Sequence, residues 1–225
     1  RFSNLVADFP EIAEIEINPL AASKNNIYAL DSRIIIDRGF IEESNMHPHL
    51  VILPYPTKYV TPWKLKDGTE VILRPIKPED EQLELEFIKG LSRETCRLRF
   101  FRVVKEFSHL DLAKFCNIDY DREIAIIAEL NENGEKKEIG EARLILEPNG
   151  KRGEVAVVVA DKYQRKGLGT KLLDVIIGIA EEKNLEAIYG VIMPENKAVI
   201  QLCKKMGFKI SMDNDEVKAI LNLKG

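Results

Sequence analysis

The sequence predicts a mixed α/β (α+β) domain, a mostly antiparallel central sheet flanked by helices, preceded by a small β fragment. Three observations carry that prediction. Three apolar, β-branched runs within residues 123–160 are joined by Asn131-Glu132-Asn133-Gly134 and Pro148-Asn149-Gly150, turn chemistry that makes them antiparallel neighbours. Residues 155–179 then pass from period two to period 3.6 through a turn with two glycines, which is a strand feeding a helix. Before all of this, two short apolar runs over residues 12–36 stand apart, followed by a proline-rich stretch.

The chain has 225 residues and 25.6 kDa, room for one ordinary domain plus a fragment. Lys and Arg number 33 against 37 Asp and Glu, giving net charge −4, so a basic nucleic-acid footprint is absent and no nucleic-acid partner is expected. Cys96, Cys116 and Cys203 are widely spaced and outside any CxxC pattern, which fits neither a disulfide framework nor a zinc site and suits a reducing, cytoplasmic setting. No apolar run approaches a membrane span and no signal peptide opens the chain, so no membrane partner is expected either. The first residue is Arg1 rather than methionine, which reads as a region cut from a larger polypeptide.

Taken in order, residues 12–17 alternate apolar with acidic side chains and form a strand, Asn18-Pro19-Leu20 breaks it, and residues 27–36 form a second strand. A unit this small is not stable alone. Residues 1–40 are therefore one segment and 41–60 a linker, its Pro54 and Pro56 and the nearby Pro62 marking irregular chain, with His47 and His49 solvated in it. The organised domain is 61–225. Residues 69–76 make a strand, and Pro78-Glu79-Asp80 opens a helix followed by apolar Leu83, Leu85, Phe87, Ile88 and Leu91. A second helix runs from Ser92 toward Phe101, and Ser108-His109-Leu110-Asp111 caps a third that ends near Cys116. Strands follow at 123–130, 139–146 and 154–160, the last a valine run that predicts burial on both faces. Leu168, Leu172, Leu173, Ile176, Ile177 and Ala180 give the next helix, beginning near Lys166. Residues 187–193 form a strand, 195–206 a helix, and 207–211 with 217–223 a final pair, Gly207 closing the last helix.

The turn between strand and helix is Gln164-Arg165-Lys166-Gly167-Leu168-Gly169-Thr170. Glycines at a helix start let a ligand approach the backbone, where free N–H groups and the positive end of the helix dipole suit a diphosphate. The P-loop pattern fails, since no glycine stands five residues before Gly167, and the dinucleotide pattern fails because Leu172 occupies its third glycine position. Two glycines that only relieve helix–strand crowding are the competing reading.

With Gln164, Gly167 and Gly169 in place, the loop resembles the acyl-CoA pyrophosphate loop, Gln/Arg-x-x-Gly-x-Gly/Ala, of the GNAT superfamily of N-acyltransferases. Leu73-Arg74-Pro75-Ile76 with Pro78-Glu79-Asp80, and the phrase NKAVIQLCKKMGF from Asn196 to Phe208, resemble that family's first strand and last helix, and the order of elements over about 165 residues is similar too. Ile15-Glu16-Ile17-Asn18-Pro19-Leu20 and Ala29-Leu30-Asp31-Ser32-Arg33 resemble the last strands of the ATP-grasp domain of ADP-forming acyl-CoA synthetases, which implies magnesium-binding positions at Glu16, Asn18 and Asp31. The rest of that fold is missing from these residues. They are read as a non-functional remnant that does not bind nucleotide, because a metal site needs its full ligand set; the transferase site is expected to need no metal. The join resembles Pat-type bacterial and archaeal protein lysine acetyltransferases, in which a synthetase-like part precedes the transferase.

The resemblance implies acetyl-CoA as acyl-donor substrate, a protein lysine as acceptor, and an AMP-forming acyl-CoA synthetase as partner. Backbone N–H groups over Gln164, Arg165, Lys166, Gly167, Leu168, Gly169 and Thr170 would hold the diphosphate, with free backbone at Val157 and Val159 receiving the pantetheine arm. A lysine amine has pKa about 10.4 and must lose a proton before it attacks. Glu154 matches the family's catalytic glutamate in Glu154-Val155-Ala156 and shares a strand face with Ala156 and Val158, with solvated strand start as its plain reading and Glu141 and Glu123 next in line. Asn196 either bonds pantetheine or caps its helix. Cys203 stands where many relatives carry a tyrosine, and reads as a small buried apolar residue, with an acyl-cysteine role as the alternative. Small-amine acetylation and a non-catalytic acyl-CoA sensor are the rival functions.

Overall fold

The computed structural model describes residues 5, 9, 12–24, 26–36, 55–101 and 107–223, so of the linker expected over 41–60 the part from 41 to 54, with His47 and His49, lies outside the described residues. Two compact units are present, Arg1–Tyr55 and Pro56–Gly225. In the first, β1 (Ile12–Ile17) pairs antiparallel with β4 (Ser32–Ile36), and β2 (Leu20–Ala22) pairs with β3 (Ile27–Ala29). The expected break at Asn18-Pro19-Leu20 is thus only a corner before a new strand. Likewise the single run over 27–36 is two strands, because Leu30 and Asp31 turn the chain where the Leu30 N–H bonds the Pro19 carbonyl. Glu16, Asn18 and Asp31 are exposed here, and the Asn18 N–H donates to the Asp31 carbonyl at 3.1 Å.

The second unit is an eight-stranded sheet in the order β11-β12-β10-β9-β8-β7-β6-β5. Its strands are β5 (Thr61–Lys64), β6 (Glu70–Pro75), β7 (Glu123–Glu132), β8 (Glu135–Leu146), β9 (Arg152–Val159), β10 (Ala187–Ile192), β11 (Lys209–Asp213) and β12 (Glu216–Asn222). The helices are α1 (Glu81–Gly90), α2 (Arg93–Phe100), α3 (His109–Cys116), α4 (Leu168–Glu182) and α5 (Lys197–Lys205). β5 is a strand that its sequence conceals. Pro62 lies in it, tolerated because β5 is the sheet edge and needs no donor on its outer side. The 3-10 turn Thr57–Tyr59 also belongs to the fold rather than to free chain, with Tyr59 packed on the core and its hydroxyl 2.8 Å from Glu182 Oε2.

Turn chemistry sets the hairpins. Asn133 and Gly134 both take positive φ, 56° and 88°, as a two-residue turn between right-twisted strands requires. α4 and α5 cover one sheet face with Leu168, Leu172, Leu173, Ile176, Ile200 and Cys203 against Ile124, Ile126, Leu144 and Val155. Each fully buried leucine or isoleucine contributes about 1.5–3 kcal/mol. The other face is covered by α1, α2 and α3 only over β6 to β9, through Phe87, Ile88 and Leu91 on Val158 and through Ile76 and Cys116 on Ala125 and Ile127. Beyond β9 the side chains on this face, Tyr189, Val191, Lys218 and Ile220, are half-exposed.

Candidate active site

One strand pair breaks the antiparallel pattern. β9 and β10 are parallel, the only such pair among the described strands, and they meet at three positions: Ala187 with Arg152, Ile188 with Gly153, and Tyr189 with Glu154. Past Glu154, β9 runs on through Val159 along β8 alone, while β10 runs on through Ile192 along β12 alone. The sheet therefore opens into a wedge inside itself. The Ala160 N–H donates to the Ile139 carbonyl in β8, and the Val155 carbonyl faces Gly190 in β10, so by strand alternation Val157 and Val159 direct their backbone groups into the wedge. The valine run predicts burial on both faces, yet Ala156, Val157 and Val159 are only half-buried because β9 loses its neighbour there.

At the open end of β9 a short 3-10 turn, Asp161–Tyr163, leads into the loop. Gln164 turns back and donates its Nε2 to the Val159 carbonyl at 3.0 Å. Arg165 takes φ 61° and Gly167 φ 90°, which brings the chain round to start α4 at Leu168, two residues later than its apolar period suggests. α4 has no side-chain N-cap and no acidic residue in its first turn, and Lys171 N–H reaches the Gly167 carbonyl at 3.1 Å. The preceding N–H groups of Leu168, Gly169 and Thr170 come before the first helical bond and are oriented outward at the positive end of a 15-residue helix. Lys166 places its Nζ 2.8 Å from Asp67, and its carbonyl accepts from Lys66 N–H, so the β5–β6 turn braces the loop.

The glycines have separate reasons. Gly167 needs its positive φ, whereas a Cβ on Gly169 would meet only ordinary contacts, Leu202 Cδ2 at 3.6 Å and Val159 Cγ2 at 3.7 Å. Protein crowding alone does not require glycine at 169.

Glu154 is exposed at the last rung before the wedge, on the face that Ala156 and Val158 share. The two other glutamates considered for the base are held elsewhere. Glu141 is 3% exposed and bound to Arg143 at 2.6 Å and Arg99 at 3.5 Å; burial pushes its pKa up, but the two guanidiniums win and hold it below the ordinary value. Glu123 is ion-paired to the same Arg143. Neither is free to take a proton from an incoming amine. Asn196 acts as helix cap, its Oδ1 accepting from Val199 N–H at 3.2 Å at the start of α5. Cys203 is 6% exposed and burial pushes its thiol up to about 11, which removes the thiolate that an acyl-cysteine would need.

Three features escaped the sequence. Tyr189 stands beside Glu154, a pairing that depends on how a strand 35 residues later returns to the sheet. Asp161 accepts from the Ser92 N–H at 2.9 Å and from the Ser92 and Thr95 hydroxyls at 2.8 Å each, tying the start of α2 to the loop. Arg97 of α2 reaches Met193 Sδ at 3.7 Å and Glu195 at 3.8 Å, across the far side of the wedge. Ser92-x-x-Thr95 is legible as a helix start, but its long-range acceptor is not.

Glu84, Glu138 and Glu141 bring carboxylate oxygens within 4.8 Å of one another beneath α1. They have the donor type of a hard-cation site. However, Arg143 and Arg99 already neutralise Glu141, while burial pushes Glu84 up to about 8 and Glu138 well above the ordinary value, so burial works against the charge on the remaining two carboxyls that a hard cation would need.

A splayed parallel pair inside an antiparallel sheet, with an uncapped helix N-terminus at its mouth, forms a cleft suited to an extended ligand with an anionic head. The sequence profile of the acetyltransferase (GNAT) family matches residues 92–208, and that of the ATP-grasp domain matches residues 1–36. The chain belongs to the GNAT acetyltransferase family, with an ATP-grasp fragment at its N-terminus. It is 34% identical over 158 residues to an acetyltransferase of Pseudomonas aeruginosa, covering 70% of this chain and 85% of that protein. It is 27% identical over 147 residues to the acetyltransferase Pat of Mycolicibacterium smegmatis, of which it spans 43%. Among solved structures, the GNAT domain of the S. lividans PAT superposes with a TM-score of 0.68 at 23% identity, over 75% of this chain and 99% of that one.

Proposed function

We propose that the chain transfers the acetyl group of acetyl-CoA to a lysine side chain of a protein, with Glu154 as general base. The observation that carries this reading is the position of Glu154: exposed, on the uncovered face, at the rung where β9 and β10 part. The diphosphate of the donor lies on the outward N–H groups at the start of α4, Leu168, Gly169 and Thr170, with Gln164 bonded back into the protein, and the pantetheine arm enters the wedge along Val157 and Val159. That path brings the thioester carbon to the rungs just past Glu154.

Glu154 removes a proton from the lysine ammonium, directly or through a water. The free amine attacks the thioester carbon and a C–N bond forms. A backbone N–H of β9 that faces the wedge stabilises the oxyanion, the C–S bond breaks, and the leaving thiolate takes up the proton the nitrogen sheds. Asp161, Ser92 and Thr95 hold α2 against the donor loop, and Arg97 spans the opposite side, so the cleft is framed before either substrate arrives. Protein acceptance is supported by the likeness to the acetyltransferase Pat, and the resemblance of the sequence to Pat-type enzymes makes an AMP-forming acyl-CoA synthetase the kind of target proposed.

The test is peptide mass spectrometry after incubation with acetyl-CoA and an AMP-forming acetyl-CoA synthetase. One acetylated synthetase lysine is expected, formed about 10²–10³-fold more slowly by Glu154→Gln with acetyl-CoA affinity retained. Acetylation of free polyamines but of no protein lysine would sink the protein reading. Donor binding without any transfer would make the domain a sensor.

A further inference from the structure

The uncovered face holds a cavity that the transfer chemistry does not use. Two residues before Glu154 on β9 is Arg152, opposite Ala187, and these two with Glu147, Tyr189, Lys218 and Ile220 line a space of about 120 Å³. Part of its wall is apolar, from Ala187, Ile220 and the Tyr189 ring. The charges around it are unequal. Glu147 already serves local donors: its carboxylate accepts from Asn149 Nδ2 at 3.3 Å, and after burial itself and Glu154, it is Glu147 that raises the Tyr189 hydroxyl pKa. Arg152 and Lys218 make no ion pair among the described residues; the neighbouring Lys151 takes Glu186 instead, and Lys218 rests its Nζ 5.5 Å from the centroid of the Tyr189 ring. Two cations against the one carboxylate of Glu147, beside an apolar wall, leave an excess of positive charge complementary to a carboxylate on a short aliphatic stem.

Distance says whose carboxylate. Two residues along a strand are about 6.6–6.8 Å, which is also the spacing of same-side side chains in any extended peptide. An acceptor segment lying extended over β9 and β10 with its lysine at Glu154 therefore sets the side chain two positions away over the cavity. We propose that this cavity is a recognition subsite for an acidic side chain flanking the acceptor lysine; the proposal rests on the protein-lysine reading above. The same two cations repel a polyamine, whose second ammonium falls where the acidic side chain goes.

The experiment compares peptides identical except for Asp or Lys two residues from the acceptor lysine, using the full chain and acetyl-CoA. The Asp peptide is expected to show about tenfold higher kcat/KM, carried by KM, with the ratio shrinking in high salt. In the double variant Arg152→Glu, Lys218→Glu the ratio inverts. Because the readout is a ratio between peptides, a partly unfolded variant lowers both rates and leaves it intact. Equal kcat/KM for the two peptides, or a ratio unchanged by charge reversal, overturns the subsite while the lysine reading stands. Failure to acetylate either peptide, together with transfer to free polyamines, overturns both.

Discussion

Glu84 shows how a buried side chain can cost stability and remain in place. It is 2% exposed on α1, its Oε2 has no hydrogen-bond partner, and burial, reinforced by Glu141, pushes it up to about 8. An ordinary glutamate ionises near 4.5. Between those values the folded chain keeps a proton that the unfolded chain releases, so stability declines as pH rises from about 4.5 to 8 and is level on either side. Glu84→Gln keeps the neutral shape without the proton. Its melting temperature is expected to exceed that of the parent by about 10 °C at pH 8, the gap closing toward pH 5. Thermal melts across that range check it, and a gap independent of pH would mean that Glu84 does not titrate as described. Glu154 presents the contrast: exposed, with no such burial, it stays available to an incoming amine.

At the scale of elements, the start of α4 joins fold to donor. Gly169 lies in its first turn, where alanine favours helix and meets only ordinary contacts. Gly169→Ala is therefore expected to leave the melting temperature within about 2 °C of the parent. If the proposed donor site is right, the KM for acetyl-CoA rises about tenfold, because the new methyl group would stand where the diphosphate is proposed to approach the N–H groups. Steady-state kinetics with both substrates varied separates the two effects, and an unchanged donor KM would return Gly169 to a packing role. α4 itself was plain in the sequence, because Leu168, Leu172, Leu173 and Ile176 repeat with helical period, and so were the hairpins marked by Asn133-Gly134 and Asn149-Gly150. β5 was hidden because Pro62 argues against a strand unless the edge position is known, and β2 because three residues are too few to show a period. The site divides the same way. Gln164, Gly167 and Gly169 carry a local spacing, whereas the Tyr189–Glu154 rung and the Asp161 tether depend on where distant strands and helices return.

For the whole molecule, the Pro56–Gly225 unit holds the complete sheet, both helix layers and every group assigned to the transfer. A protein of residues 56–225 is expected to unfold in one cooperative transition and to bind acetyl-CoA within about twofold of the full chain. Calorimetry and titration test this; loss of donor binding would give the ATP-grasp fragment a part in the site. Neither the order of the eight strands nor the uncovered face beyond β9 follows from residue pattern alone, since both arise from the single parallel return of β10.

That return leaves β9 with a bare flank in the middle of a sheet. The amides of Val157 and Val159 face the wedge, while those of Ala156 and Val158 face β8. Alternate residues of one short strand should then trade hydrogen for deuterium at different speeds, fast at 157 and 159 and slow at 156 and 158. Acetyl-CoA should slow only the fast pair, as its own amides supply the missing neighbour. The strand thus carries an internal gauge of donor occupancy that can be read before any acceptor is known.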